Sequence, residues 1–91
     1  MPYAIHHDPV HSRFESRVDG RLCVADYWRA GDVLVMTHTE VPHELQGRGI
    51  AAALVEAALE EARRLHLKID PRCSYVRAYM KRHPETQSLH V

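Results

Sequence analysis

The run Gln46-Gly47-Arg48-Gly49-Ile50-Ala51 is an unusual way to begin a helix. Helices mostly open on Ser, Thr, Asp or Asn, whose side-chain oxygen accepts from the first free amides. Here Leu45, Gln46 and Gly47 stand before a long helical pattern, and Gly49 falls in its first turn. Glycine inside a helix costs up to about 1 kcal/mol relative to alanine. Two readings account for it. In the first, bare amides carrying partial positive charge form an anion cradle. The glycines then let a phosphate approach closely, and Arg48 adds a pairing charge. The chemistry would be the grip of a diphosphate. In the second, the glycines only permit tight packing between a strand and a helix. The turn lacks the Gly-Lys-Ser/Thr ending of a Walker loop and the spacing of a dinucleotide fingerprint.

Other side chains could take part in group transfer. Cys73 follows Pro71 at the start of a second helical segment, where a helix N-terminus favours the thiolate. It is either a nucleophile or a small buried hydrophobe, and Cys23, mid-strand, reads as packing. His38 and Glu40 lie two apart on one strand face, as a base pair of groups or as a wet polar surface. Tyr79 is either a proton donor or a core aromatic with its hydroxyl at the surface, and Tyr75 is a second aromatic nearby. The chain has eight histidines. None joins a cysteine or histidine at zinc-finger spacing, and H-E-x-x-H does not occur, so no metal is expected.

Gln46-x-x-Gly49-x-Ala51 resembles the Q/R-x-x-G-x-G/A signature of the GNAT acetyltransferases. The likeness is closer to a small single-domain GNAT-like group. Its blocks are similar to His38-Thr39-Glu40-Val41-Pro42, Gly47-Arg48-Gly49-Ile50-Ala51, Pro71-x-Cys73-Ser74-Tyr75-Val76, then Tyr79 and His83-Pro84-Glu85. Together these cover about residues 13–86. The resemblance implies acetyl-coenzyme A as cofactor, with its phosphates on the amides of Gln46, Gly47, Arg48, Gly49, Ile50, Ala51 and Ala52. It implies pantetheine beside His38, Thr39 and Val41, where two strands splay apart. It implies N-acetyl transfer to an amine of a small molecule or a protein, with Cys73, Tyr79 and His38 as candidate catalytic residues. Larger members carry N-terminal helices that form much of the acceptor pocket; this chain shows no counterpart, which leaves the acceptor open.

The elements that must position these groups are legible. Phe14, Ser16 and Val18 alternate, and Asp19-Gly20 signals a hairpin. Arg21 to Arg29 follows, with Leu22, Val24, Asp26 and Trp28 on one face and Cys23, Ala25 and Tyr27 on the other. Val33 to Val41 is a third strand, stopped by Pro42. From Arg48 to His66 the period becomes helical: Ile50, Leu54, Val55, Ala58, Leu59, Ala62 and Leu65 share an arc, opposite Glu56, Glu60, Arg63 and Arg64. Glu61, at the edge of that arc, is the misfit. Leu67 to Asp70 is a short parallel strand, reached by a right-handed crossover. Cys73 to His83 is a second helix, ended by Pro84. Residues 1–12 read as a loose arm, and Glu85 to Val91 as loose or a short closing strand. The expectation is an α/β (α+β) GNAT-like fold over 1–91: a three-strand antiparallel meander, a long helix, a short parallel strand and a second helix.

The bulk composition excludes little but agrees. The 91 residues suit one domain, and acidic and basic residues balance at twelve each. Nothing points to a nucleic-acid or membrane partner. Two scattered cysteines and no basic-then-apolar leader suggest a cytoplasmic protein. Besides transfer to an amine, two other functions fit: a coenzyme A or acyl-coenzyme A binding module without turnover, and a plain α/β interaction domain.

Overall fold

The computed structural model describes residues 3–91. The strands are β1 (His6–Asp8), β2 (Arg13–Val18), β3 (Arg21–Ala30), β4 (Val33–Glu40) and β5 (Lys68–Pro71). The helices are α1 (Ile50–Leu65) and α2 (Ser74–Arg82), with short 3-10 helices at His43–Leu45 and Pro84–Leu89. The strands form one sheet in the order β1-β2-β3-β4-β5. The first four are antiparallel to their neighbours, and β5 lies parallel to β4. The β2–β3 hairpin turns where Asp19 and Gly20 both take positive φ, at 51° and 74°. That double positive φ suits the right-handed twist of a tight hairpin.

Sheet and helices bury complementary faces. Phe14, Val18, Cys23, Ala25, Tyr27, Leu34, Met36 and Ile69 alternate onto one side of the sheet. Leu54, Val55, Ala58 and Ala62 of α1 close over them, each with no exposed surface. Each buried Leu or Val contributes about 1.5–3 kcal/mol of transfer free energy. Both helices and the Pro84–Leu89 turn contact one another, so the helical layer lies on this one side. The other side carries Arg13, Glu15, Leu22, Val24 and Asp26, with Trp28 left 52% exposed.

Several boundaries differ from the sequence reading. Residues 1–12 are not simply a loose arm: His6–Asp8 is an edge strand paired with Arg13–Glu15. His7 stacks on Phe14 with ring centroids 4.2 Å apart, a tertiary contact that no local pattern announces. Gly49 is not inside α1 but is its N-cap, at φ 81°. The left-handed conformation there is one that β-carbons resist, so glycine is at home rather than a cost. At the other end His66 adopts φ 57° and Leu67 N–H donates to Ala62 at 2.8 Å. That closure spends Leu67 on the helix and starts the strand at Lys68. The tail is neither loose nor a strand. It forms the Pro84–Leu89 3-10 helix, pinned by Thr86 Oγ1 donating to the carbonyls of Met80 and His83, and only His90 bridges to Ile69.

Candidate functional site

The connection from β4 to α1 builds a cradle of unused donors. Gly47 and Gly49 hold φ at 79° and 81°. The first intrahelical bond runs from Ala53 N–H to Gly49. Among the described residues, the N–H groups from Gly47 to Ala52 have no acceptor, and no side chain caps the helix. Nothing lies within 4 Å of where a β-carbon would stand on Gly47 or Gly49. The mouth of the helix is therefore open and carries the positive end of the helix dipole. Gln46 has a different job. Its Nε2 donates to the Val41 carbonyl at 3.1 Å, which ties the turn to the end of β4.

The cradle opens into a cleft of about 410 Å³. Thr39, Val41, Gln46, Gly47, Gly49, Ile50, Ala51 and Ala52 line it, all expected from the sequence. Leu45 and Tyr75 complete the wall. Burial pushes the Tyr75 hydroxyl above its ordinary pKa, so the phenol stays neutral. Arg48 is not in the wall. Its guanidinium reaches away to Asp19 at 3.0 Å in the β2–β3 turn. Its carbonyl accepts from the Tyr3 hydroxyl at 2.6 Å.

One end of the cleft meets a gap in the sheet. β5 pairs with β4 from Val33↔Lys68 to Met36↔Pro71. Cys73 N–H then donates to the Met36 carbonyl at 2.9 Å, and the backbone pairing goes no further. β4 continues to Glu40 with only β3 beside it. Alternate backbone groups of Thr37–Glu40 are thus left on an unpaired edge. Cys73, the N-cap of α2, sits at the closed end of this gap with its Sγ 3.5 Å from Thr39 Oγ1. Burial alone would raise the thiol pKa. The Thr39 hydroxyl and nearby amides of Val76, Tyr75 and Thr39 outweigh it and hold the pKa below the ordinary thiol value. Cys23 is the contrast: fully buried, its pKa is pushed up and its sulfur is packing.

The structure separates two other candidates from the cleft. His38 points to the uncovered side of the sheet, exposed, with Nε2 3.0 Å from Glu40 Oε1. Tyr79 is buried, stacked on His83 at 4.0 Å, and borders a depression with Glu56, Leu59 and Arg63. Desolvation first, then the Glu56 and Glu85 carboxylates, raise its pKa. No three His, Cys, Asp or Glu side chains converge among the described residues in a way that would hold a metal ion. No helix among them is long and apolar enough to cross a membrane.

Glu61, the misfit of α1, has a structural use at the far end of that helix. Tyr27 hydroxyl and His7 Nε2 are 2.6 Å apart, and His7 Nδ1 is 3.6 Å from Glu61 Oε2. Two hydrogen bonds from Arg64, at 2.9 and 2.8 Å, hold the Glu61 carboxyl below its usual pKa despite partial burial. This chain of polar groups fastens β1 to the core.

A parallel-strand gap, a glycine-built amide cradle and an antiparallel meander together define an acetyltransferase-type fold. The sequence profile of the GCN5-related N-acetyl-transferase family matches residues 13–89, and the chain belongs to that family. Among curated relatives it is 36% identical to Protein NATD1 of Mus musculus over 91 residues, spanning 97% of this chain and 83% of that protein. It is 33% identical to Protein NATD1 of Danio rerio, spanning 93% and 80%. Among solved structures it is similar to the NMR solution structure of a GCN5-like protein from Staphylococcus aureus. The TM-score is 0.76 at 25% identity, covering 97% of this chain and 87% of that one.

Proposed function

We propose that the cleft binds acetyl-coenzyme A and that the chain transfers the acetyl group to an amine. The observation that carries this reading is the row of unpartnered N–H groups from Gly47 to Ala52 at the head of an open cleft. A diphosphate satisfies such donors and complements the helix dipole. The open space before Gly47 and Gly49 gives it room to approach the backbone. The unpaired edge of Thr37–Glu40 suits the amide-bearing pantetheine arm, which adds to it as a strand would. Val41, Ile50 and Tyr75 enclose the arm's apolar part.

When bound, the cofactor supplies an acyl group activated as a thioester. The chain's residues do the rest. Cys73, held toward its thiolate form beside Thr39, is the nucleophile at the gap: it would take the acetyl group from the thioester as the coenzyme A thiolate leaves, and pass it to the amine with release of its own thiolate. His38 and Glu40 lie on the uncovered side, the side open to an acceptor; with His38 Nε2 donating to Glu40, Nδ1 is the ring nitrogen left to accept a proton from an amine arriving there. Tyr79 keeps no role at the thioester in this reading, because Tyr75 is the tyrosine that faces the cleft.

The bare side of the sheet favours a second reading. No helix covers it, so no walled acceptor pocket is present among the described residues. A coenzyme A binding module without turnover fits that. Incubation with labelled acetyl-coenzyme A, with and without a panel of amines and peptides, decides between them. Label on an amine supports transfer. Saturable binding with label on neither amine nor protein supports the module, and no binding at all removes both.

A further inference from the structure

We infer that Tyr3 is a positioning residue for the anion cradle: its hydroxyl aims the Arg48–Gly49 peptide so that the Gly49 N–H faces the cleft. The inference rests on the cofactor reading above and adds to it a residue from outside the family's matched span of 13–89.

The argument begins with the geometry of one peptide. Every peptide bond described is trans. In a trans peptide the carbonyl of one residue and the N–H of the next point in opposite directions. The Arg48 carbonyl accepts from Tyr3 Oη at 2.6 Å. Tyr3 packs against the core cluster and is not part of the cleft wall, whereas Gly49 is. Holding the carbonyl on the Tyr3 side therefore turns the Gly49 N–H to the opposite side. That N–H has no acceptor among the described residues.

The peptide needs such a hold. One of the two dihedrals that set its plane is the φ of Gly49, a residue that rotates more freely than others. The Arg48 side chain is occupied with Asp19 and fixes its own guanidinium, not the peptide plane. The cradle works as a preorganised donor set only if its amides already face the anion. A tyrosine whose ring packs against the core, with its hydroxyl on that carbonyl, supplies the orientation at little further entropic cost.

Tyr3→Phe removes the hydroxyl and keeps the ring, so the fold should persist, with the melting temperature lowered by no more than a few degrees for the one lost hydrogen bond. Coenzyme A binding to wild type and Tyr3→Phe is measured by calorimetry. Pantetheine, which has no phosphate, is titrated against both proteins by NMR at the Thr39 and Tyr75 amides. The expected result is about three- to tenfold weaker coenzyme A binding, the worth of one oriented hydrogen bond. Pantetheine binding should not change, and the Gly49 amide resonance should move in the ligand-free variant. Equal coenzyme A affinity in the two proteins, or equal weakening for both ligands, overturns the role of Tyr3. Failure of wild type to bind coenzyme A instead overturns the cofactor reading itself.

Discussion

Thr39 Oγ1 stands 3.5 Å from Cys73 Sγ across the point where β4 and β5 part. The pair joins the last strand residue that lines the cleft to the N-cap of the second helix. A hydroxyl donor and a helix N-terminus both favour the thiolate there, against the desolvation that opposes it. The chemistry of the gap depends on that balance.

Thr39→Val tests the balance directly. Valine keeps the shape and removes the donor, so the thiolate loses support and the Cys73 pKa rises. At neutral pH less of the thiol is ionised, and alkylation by iodoacetamide should slow by roughly three- to tenfold. The pH profile of the alkylation rate should shift to higher pH. An unmoved profile would show that Thr39 does not tune the sulfur.

Cys73→Ala should leave coenzyme A affinity within about twofold, because no cradle donor is lost. It should abolish self-acetylation by labelled acetyl-coenzyme A, read by mass spectrometry of the intact chain. Cys23, with no exposed surface, cannot substitute for it. Equal labelling of the two proteins would remove Cys73 from the transfer.

Gly49→Asp places a carboxylate before the amides and forces a β-carbon to φ 81°. Coenzyme A binding should fall more than about a hundredfold, from charge repulsion and lost approach. Gly49→Ala carries the same backbone strain, about 1 kcal/mol, without the charge, and should lose no more than roughly fivefold. Calorimetry on both variants separates strain from repulsion. Full affinity in Gly49→Asp would remove the phosphate site from this turn.

His7→Ala should act on stability alone. It removes the stack on Phe14 and strands the Tyr27 hydroxyl, while Glu61 keeps its two bonds from Arg64. Urea unfolding should show a loss of about 1–3 kcal/mol. Glu61 lies about 16 Å along α1 from Ile50, at 1.5 Å per residue, so coenzyme A affinity should be unchanged. A large change in affinity would mean that the two ends of the helix are coupled.

Much of this architecture was legible from local pattern. Strand alternation at Phe14, Ser16 and Val18, the helical arc from Ile50 to Ala62, and the proline at 42 each act through near neighbours in the chain. The cradle was legible because two glycines in place of a capping side chain are locally anomalous. What escaped depends on tertiary packing. His6–Asp8 is short and polar, and it is a strand only because His7 finds Phe14 and Tyr27. The positive φ at Gly49, which composition does not reveal, moved the helix start from Arg48 to Ile50. Tyr79 and Tyr75 are one helical turn apart, and which one faces the cleft depends on how α2 sits against α1. Arg48 was drawn off by Asp19, a partner 29 residues away. Tyr3 gave no signal, since nothing in its surroundings marks a carbonyl 45 residues distant as its acceptor.

An amide-resolved NMR titration of the chain with coenzyme A asks whether the donors at the mouth of α1 take up the diphosphate. The account predicts saturable shifts that are largest across Gly47, Arg48, Gly49, Ile50, Ala51 and Ala52, with smaller ones at Thr39 and Tyr75. Saturable binding whose shifts lie elsewhere, or no shift at those amides at millimolar coenzyme A, would contradict it.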